Sequence, residues 1–359
     1  MISVMAANTE SSTERTARIL RTQATHCEVL GSALYAGLLR HSAEDLLADG
    51  PTAGVLEGHL TDPGRSALPL RMLGGVHALV LTGQARELAA FYPSAGGTAD
   101  PGQGAGLAWP ALRDVLEVHM AQIRTWLPRP PQTNEVGRGA VLAGALCHLL
   151  AEEDLPVRLV EVGTSAGLNL RADRFRISGA GVSFGPPSSP VRMNDVWRGK
   201  PPPVRDVAVI SRTGGDLAPV DPVSEEGRLR LLAYVWADQA DRLERLRGAC
   251  DLASDVPAEI RRESASETIA GIELQPGTWT VLWHSIFQQY LDAEQMGEMA
   301  AGVAGLGASA TETARFAHVT LELAKPGPDT PVEVTAWPGG ACRVIGTALP
   351  HGIPVTWSA

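Results

Sequence analysis

Up to about residue 153, apolar side chains recur at helical spacing; beyond 157 they fall into short β-type runs separated by helical stretches. From Thr13 to Leu47 no proline intervenes, and Leu30, Leu34, Gly37 and Leu38 make one apolar stripe, which predicts a helix. Pro51, Pro63 and Pro69 mark a loop-rich stretch. The helical period resumes from Arg71 to Ala90 and stops at Phe91-Tyr92-Pro93-Ser94. After a glycine-rich loop at 95–106 it returns from Trp109 to Trp126 and ends at the prolines of 128–131. Thr133 or Asn134 can cap a helix running to about Glu153, with Val141, Leu142, Ala145, Leu146, Leu149 and Leu150 on its buried face.

The period changes at Val157. Residues 157–162 are a short β-rich run, followed at once by Gly163-Thr164-Ser165-Ala166-Gly167 and a predicted helix from Leu168. Further strands are predicted at Val207–Ser211, Ala258–Arg262, Trp279–Trp283, Val319–Leu323, Val332–Trp337 and Arg343–Ala348, with helices at Ser224–Arg247 and Asp292–Leu306. Strand–helix alternation from 157 to 323 predicts a mostly parallel sheet with crossover helices. The last strands come without helices between them, which predicts an antiparallel hairpin on that sheet. The expected class is α/β: a Rossmann-like, mostly parallel sheet with C-terminal antiparallel strands, preceded by an N-terminal helical region. The expected division is 1–130, helical, and 131–359, with a proline-rich insertion at about 173–205.

Composition narrows the function classes. The 359 residues are 44% hydrophobic, enough for a large core and against wholesale disorder. Forty acidic against thirty basic residues give a net charge of −10, a poor match to nucleic acid. Cys27, Cys147, Cys250 and Cys342 lie far apart without a C-x-x-C pair, and the histidines form no H-E-x-x-H or H-x-H cluster, so no metal is expected. No apolar run approaches the roughly 18 residues of a membrane span. The first residues lack a basic and then apolar signal pattern, so the expected location is cytoplasmic. The expected partner is a small-molecule substrate, with no nucleic acid and no membrane; a homo-oligomer stays open.

The loop at 161–167 carries the chemistry. A strand ending in Glu161 turns through Gly163, Ser165 and Gly167 into a helix start, where backbone turns sharply and a ligand can approach the main chain. The same letters also read as G-x-S-x-G, with Ser165 a nucleophile, Asp216 or Asp221 the acid and His284 or His351 the base. That reading needs several strands before Ser165, whereas 13–153 reads as helical. Polar residues recur after successive predicted strands: the acid Asp216 after the second, the acid-small pair Glu263-Ser264 after the third and the polar pair His284-Ser285 at the end of the fourth. Such placement at carboxyl ends suits a nucleotide-like ligand.

Two resemblances follow from these residues. RMLGGVHALVL (71–81), FYPS (91–94), QTNEVGR (132–138), EVGTSAGLNL (161–170), SPVR (189–192), GGDLAPVDP (214–222), LLAYVWADQ (231–239), RLERLR (242–247), VLWHSIFQQYL (281–291), WPGG (337–340) and PHG (350–352) together resemble the bacterial family of domain of unknown function 2332. That resemblance spans nearly the whole chain and implies one family unit, with no activity attached. Loop 161–167 and the element order resemble class I S-adenosylmethionine methyltransferases, with Ser165 at the middle glycine of the acidic-x-G-x-G-x-G loop. This second resemblance implies S-adenosylmethionine as cofactor. Glu161, Gly163, Ser165 and Gly167 would hold its methionine and ribose side, Asp216 its ribose, and Glu263 and Ser264 its adenine edge. His284, with Tyr92, Asn134 and Glu135, would face the methyl acceptor. A serine hydrolase using Ser165 and a non-catalytic nucleotide- or partner-binding protein are the alternatives.

Overall fold

The structure is a computed structural model and describes residues 10–98, 104–323 and 329–358. The expected absence of a signal pattern at 1–9, and residues 99–103 of the glycine-rich loop, lie outside the described residues. The chain forms two compact units. One is Met1–Thr133 with Leu229–Leu243; the other is Asn134–Arg228 with Glu244–Ala359.

The first unit is helical. It holds α1 (Ser12–Val29), α2 (Ala33–Leu47), α3 (Pro51–Leu56), α4 (Leu68–Leu81), α5 (Arg86–Ala89), α6 (Gly104–Val118) and α7 (Met120–Arg124). The single helix expected from 13 to 47 is two. Gly31 takes φ +84°, and the Ser32 hydroxyl caps α2 by accepting from Tyr35 N–H while donating to Asp238 Oδ1 at 2.6 Å. The core joins Tyr35, Leu39, Met72, Val76, Leu112 and Trp236.

The second unit begins with α8 (Gly139–Glu152), which is buried on nearly every side. Its start is not capped by Thr133 or Asn134; a short 3-10 turn at Val136–Arg138 precedes it, with the Glu135 side chain accepting from Gly137 N–H. Then come β1 (Val157–Val162), β2 (Arg176–Gly179), β3 (Val182–Phe184), β4 (Arg192–Gly199) and β5 (Val209–Asp216). The chain continues through α9 (Glu225–Ala233) and α10 (Ala240–Asp255), whose facing ends, within 229–243, belong to the first unit, and then β6 (Glu259–Arg262), α11 (Ala265–Ala270), β7 (Thr278–Ser285) and α12 (Ala293–Ser309). It closes with β8 (Ala314–Leu321), β9 (Thr330–Trp337), β10 (Ala341–Ala348) and β11 (Val355–Trp357).

All eleven strands make one sheet, in the order β3-β2-β4-β11-β10-β9-β8-β7-β1-β5-β6. It is mostly parallel, and β9 and β10 are antiparallel additions after β8, as the pattern predicts. The segment 173–205, expected as an insertion, supplies β2, β3 and β4, the far edge of the sheet, and β4 pairs with β11. Two expectations are corrected. The helix expected from Leu168 is a 3-10 segment, Leu168–Arg174. The helix expected over 224–247 is two, α9 and α10.

Two apolar layers cover the centre of the sheet. On one face Val160, Val162, Leu282 and Phe316 pack with Ile269 of α11 and Met299 and Val303 of α12. On the other, α8 crosses so closely that a Cβ on Gly144 would overlap the Trp357 ring, and Trp197 Nε1–H donates to Ala140 O at 3.0 Å. Counting β1, β5, β6, β7 and β8 in chain order, their spatial order is 3-2-1-4-5. The chain therefore builds outward from β1 on one side and then returns to the other, so the connections diverge between β1 and β7. Open α/β sheets hold ligands outside the carboxyl ends of strands at such a point.

Candidate functional site at the carboxyl ends of β1 and β7

Loop 163–167 leaves β1 at this divergence. Gly163, Ser165 and Gly167 take φ +66°, +53° and +66°. The loop is closed on its own neighbours. Gly163 N–H and Thr164 N–H donate to Gly215 O, Gly167 N–H to Thr164 O, and Ser165 N–H to Asp216 Oδ2 at 2.8 Å. The free approach expected at the glycines is taken by side chains: a Cβ on Gly163 would overlap the Phe287 ring, and one on Gly167 would lie 2.5 Å from Ile260 Cδ1.

Glu161 and Trp283 are paired across β1 and β7, so their side chains share one face of the sheet. Glu161 is buried and accepts from Thr164 Oγ1–H at 2.6 Å. Burial pushes its carboxyl up to about 8, against the Thr164 hydroxyl, the Trp283 indole and the Arg138 charge, which pull it down. Asn169 Oδ1 is a buried polar atom without a hydrogen-bond partner among the described residues, and the buried Trp283 indole N–H acts on the Glu161 carboxyl. Two distant loops close over this spot. Arg138 donates to Pro350 O at 3.0 Å and to Ser285 O at 3.3 Å. Asn134 Oδ1 accepts from Leu168 N–H at 2.8 Å, and Asn169 Nδ2–H donates to Glu135 O. His351 Nδ1 stands 3.4 Å from Glu135 Oε2.

His284, one residue beyond Trp283, belongs to the opposite face. Its Nδ1–H donates to Glu322 Oε1 at 2.7 Å, and its Nε2 meets His318 Nε2 at 2.9 Å. Glu322 also accepts from Phe287 N–H and Gln288 N–H, which fixes the turn carrying Phe287. Burial, with the neighbouring His284, pushes His318 down to about 3.

This arrangement comes from a chain whose residues 17–357 match the model of a family described as uncharacterized protein conserved in bacteria, DUF2332. The chain belongs to the DUF2332 family. No curated protein and no solved structure matches it.

In this DUF2332 protein the residues expected to act together separate into groups. Glu161, Gly163, Ser165, Gly167, Asn134, Glu135 and Asp216 converge on the carboxyl ends of β1 and β5. Asp216 does not present an open carboxylate, because Oδ2 accepts from Ser165 N–H and Oδ1 from Ala218 N–H. Ser264 caps α11 in a reciprocal pair with Glu267, and Glu263 lies 4.0 Å from Arg261. Both ring nitrogens of His284 are engaged by Glu322 and His318. Tyr92 is fully buried in the core of the helical unit, its ring near Tyr35 and His77. Arg138, Trp283, Phe287, His318 and Glu322 were not singled out, and His351 only as a hydrolase base; the clue for Arg138 and His351 lay in the QTNEVGR and PHG runs. Among the described residues, no group of side chains could hold a metal, and no helix is long and apolar enough to cross a membrane.

Proposed function

We propose that this DUF2332 protein is an S-adenosylmethionine-dependent methyltransferase acting on a small molecule, with its site outside the carboxyl ends of β1 and β7. The observation that carries the reading is the 3-2-1-4-5 strand order with an acid-ended, glycine-containing loop at its point of divergence. The donor set fits best on the α8 side of that loop. Glu161, Trp283 Nε1 and Asn169 Oδ1 are buried polar groups able to answer the polar amino-acid end of the cofactor, and Asn169 Oδ1 has no hydrogen-bond partner among the described residues. Asp216 and Ser264 support the loop and α11, so ribose and adenine contacts fall to other atoms.

When bound, the cofactor supplies an electrophilic methyl group. The protein's share is positioning and exclusion of water. Asp216 and Asn134 hold the loop and the turn after it. Arg138 ties the loop after β7 to that after β10, and Phe287 covers Gly163. Calorimetric titration with S-adenosylhomocysteine tests the reading: saturable one-to-one binding is expected, and absence of binding overturns it. Binding without transfer of labelled methyl to any acceptor would favour a non-catalytic nucleotide-binding protein.

One observation favours a second reading. Ser165 takes φ +53° on a sharp turn after a strand, as a nucleophile elbow requires. Against it, the described residues before β1 form helices only, and His284 is turned to Glu322 and His318. Hydrolysis of short p-nitrophenyl esters separates the two.

A further inference from the structure

His351 lies in the loop between β10 and β11, held by backbone-to-backbone packing. A Cβ on Gly137 would lie 2.5 Å from His351 O, and one on Gly352 would overlap the Arg138 backbone. The backbone that carries His351 thus packs directly against the segment that carries Glu135 and Arg138. Its Nδ1 atom is buried and faces Glu135 Oε2 at 3.4 Å, longer than a formed hydrogen bond, while about a third of the side chain (32%) is exposed. Glu135 is itself buried, at 7% side-chain exposure, and its other oxygen accepts from Gly137 N–H. With Glu135 ionised, as the inference takes it to be, the carboxylate only accepts, and the proton between them belongs on His351 Nδ1 and the lone pair on Nε2. That is the layout of a general base oriented by a third group, and such contacts are often long before a ligand binds.

We infer that His351 is the proton acceptor of this site, with Glu135 as its positioning residue, and that the methyl acceptor carries a proton on its attacking atom: a hydroxyl, a thiol or a protonated amine. The inference rests on the methyl-transfer reading. The acceptor's X–H proton passes to His351 Nε2. The electron pair left on X bonds to the methyl carbon, and the pair of the carbon–sulfur bond stays on sulfur, which changes from sulfonium to thioether.

Nitrogen-15 NMR of histidine-labelled protein tests this without an identified acceptor, with the His351 signals assigned by their loss in His351→Gln. The expected result is an Nδ1–H tautomer for His351, opposite to the Nε2–H form that free imidazole side chains favour. Glu135→Gln should shift it toward Nε2–H, while Glu135→Asp should retain Nδ1–H. Saturating S-adenosylhomocysteine should move the His351 signals. An Nε2–H tautomer in the wild type overturns the inference whether or not any variant folds. So do signals that stay fixed while calorimetry shows the ligand bound. Failure of the ligand to bind by calorimetry instead overturns the methyl-transfer reading, and the acceptor class falls with it. With an acceptor in hand, His351→Gln should lower kcat by about 10²–10⁴-fold, the range of general-base losses.

Discussion

The backbone N–H of Ser165 donates to Asp216 Oδ2 at 2.8 Å, so the end of β5 fixes the turn that follows β1. Ala218 N–H donates to the other oxygen at 2.8 Å, and Val220 N–H to Ser165 O at 3.2 Å. One carboxylate thereby braces two loops at the carboxyl edge. Asp216→Ala leaves both N–H groups without that partner and should cost about 1–3 kcal/mol of stability. Asp216→Asn keeps one accepting oxygen and should cost less. Urea midpoints order the three proteins, and S-adenosylhomocysteine affinity should fall in the same order. A midpoint for Asp216→Ala equal to wild type would show that the brace is not needed.

Gly163 is required twice over. Its φ of +66° disfavours any side chain, and the space where a Cβ would stand is filled by Phe287. Gly163→Ala should lose about 1–2 kcal/mol from backbone conformation alone, with a further loss from the overlap. Phe287→Ala in the same chain should recover the overlap and leave the conformational part. A double-mutant cycle by urea denaturation measures this, with an expected coupling of about 0.5–3 kcal/mol. Strict additivity of the two changes would mean that Phe287 does not close on the loop.

Much of this was legible in the sequence, and the gaps have physical causes. β1 and β7 could be read because buried parallel strands leave apolar runs such as Val281-Leu282-Trp283, whereas β8 begins five residues before the expected Val319, in a stretch broken by Arg315 and His318. The break between α9 and α10 could not, because Asp238 beside it is held by Ser32 Oγ–H and Leu34 N–H about two hundred residues away. β2, β3 and β4 read as an insertion because β2 and β3 are short and the stretch is proline-rich, and β4 joins the rest of the sheet through a strand more than 150 residues later, Val355–Trp357. At the site, the acid at the end of β1 and the positive-φ turn were readable as types at a spacing. What Asp216 bonds was not, since its partners are backbone N–H groups that a sequence does not distinguish. Arg138 and His351 escaped as a pair because they are brought together from opposite ends of the second unit.

Glu161 should make stability depend on pH in a specific direction. Its carboxyl titrates near 8 when folded, against an ordinary value of 4.5, because burial disfavours the charge. The unfolded chain therefore releases this proton first as pH rises. The stability linked to the protonated form is complete below about 4.5 and is lost as pH climbs through about 8. The slope for one such group approaches about 1.4 kcal/mol per pH unit between those limits. Glu161→Gln cannot ionise, so its stability relative to wild type should rise steadily from pH 5 to pH 8. Urea midpoints at four pH values check it. A constant difference between the two proteins would mean that Glu161 is ionised in the folded state.

Ser165→Gly separates the two enzyme readings at one atom. The residue sits at φ +53°, a conformation that costs a non-glycine residue about 1–2 kcal/mol. Glycine relieves that strain but gives back about 0.5–1 kcal/mol through the greater freedom of the unfolded chain, so net stability should change little. The N–H that Asp216 accepts is a backbone group and survives the change. The turn should therefore persist, and S-adenosylhomocysteine affinity should be kept or improved. Under the hydrolase reading the same substitution removes the attacking oxygen, and ester turnover should vanish whatever happens to the cofactor. Calorimetry and a p-nitrophenyl ester assay on wild type and variant give opposite signatures. Retained cofactor binding with no esterase in either protein is the expected result, because helices rather than strands precede β1. Esterase activity present in the wild type and lost in Ser165→Gly would transfer the site to nucleophilic chemistry, with Ser165 at its centre.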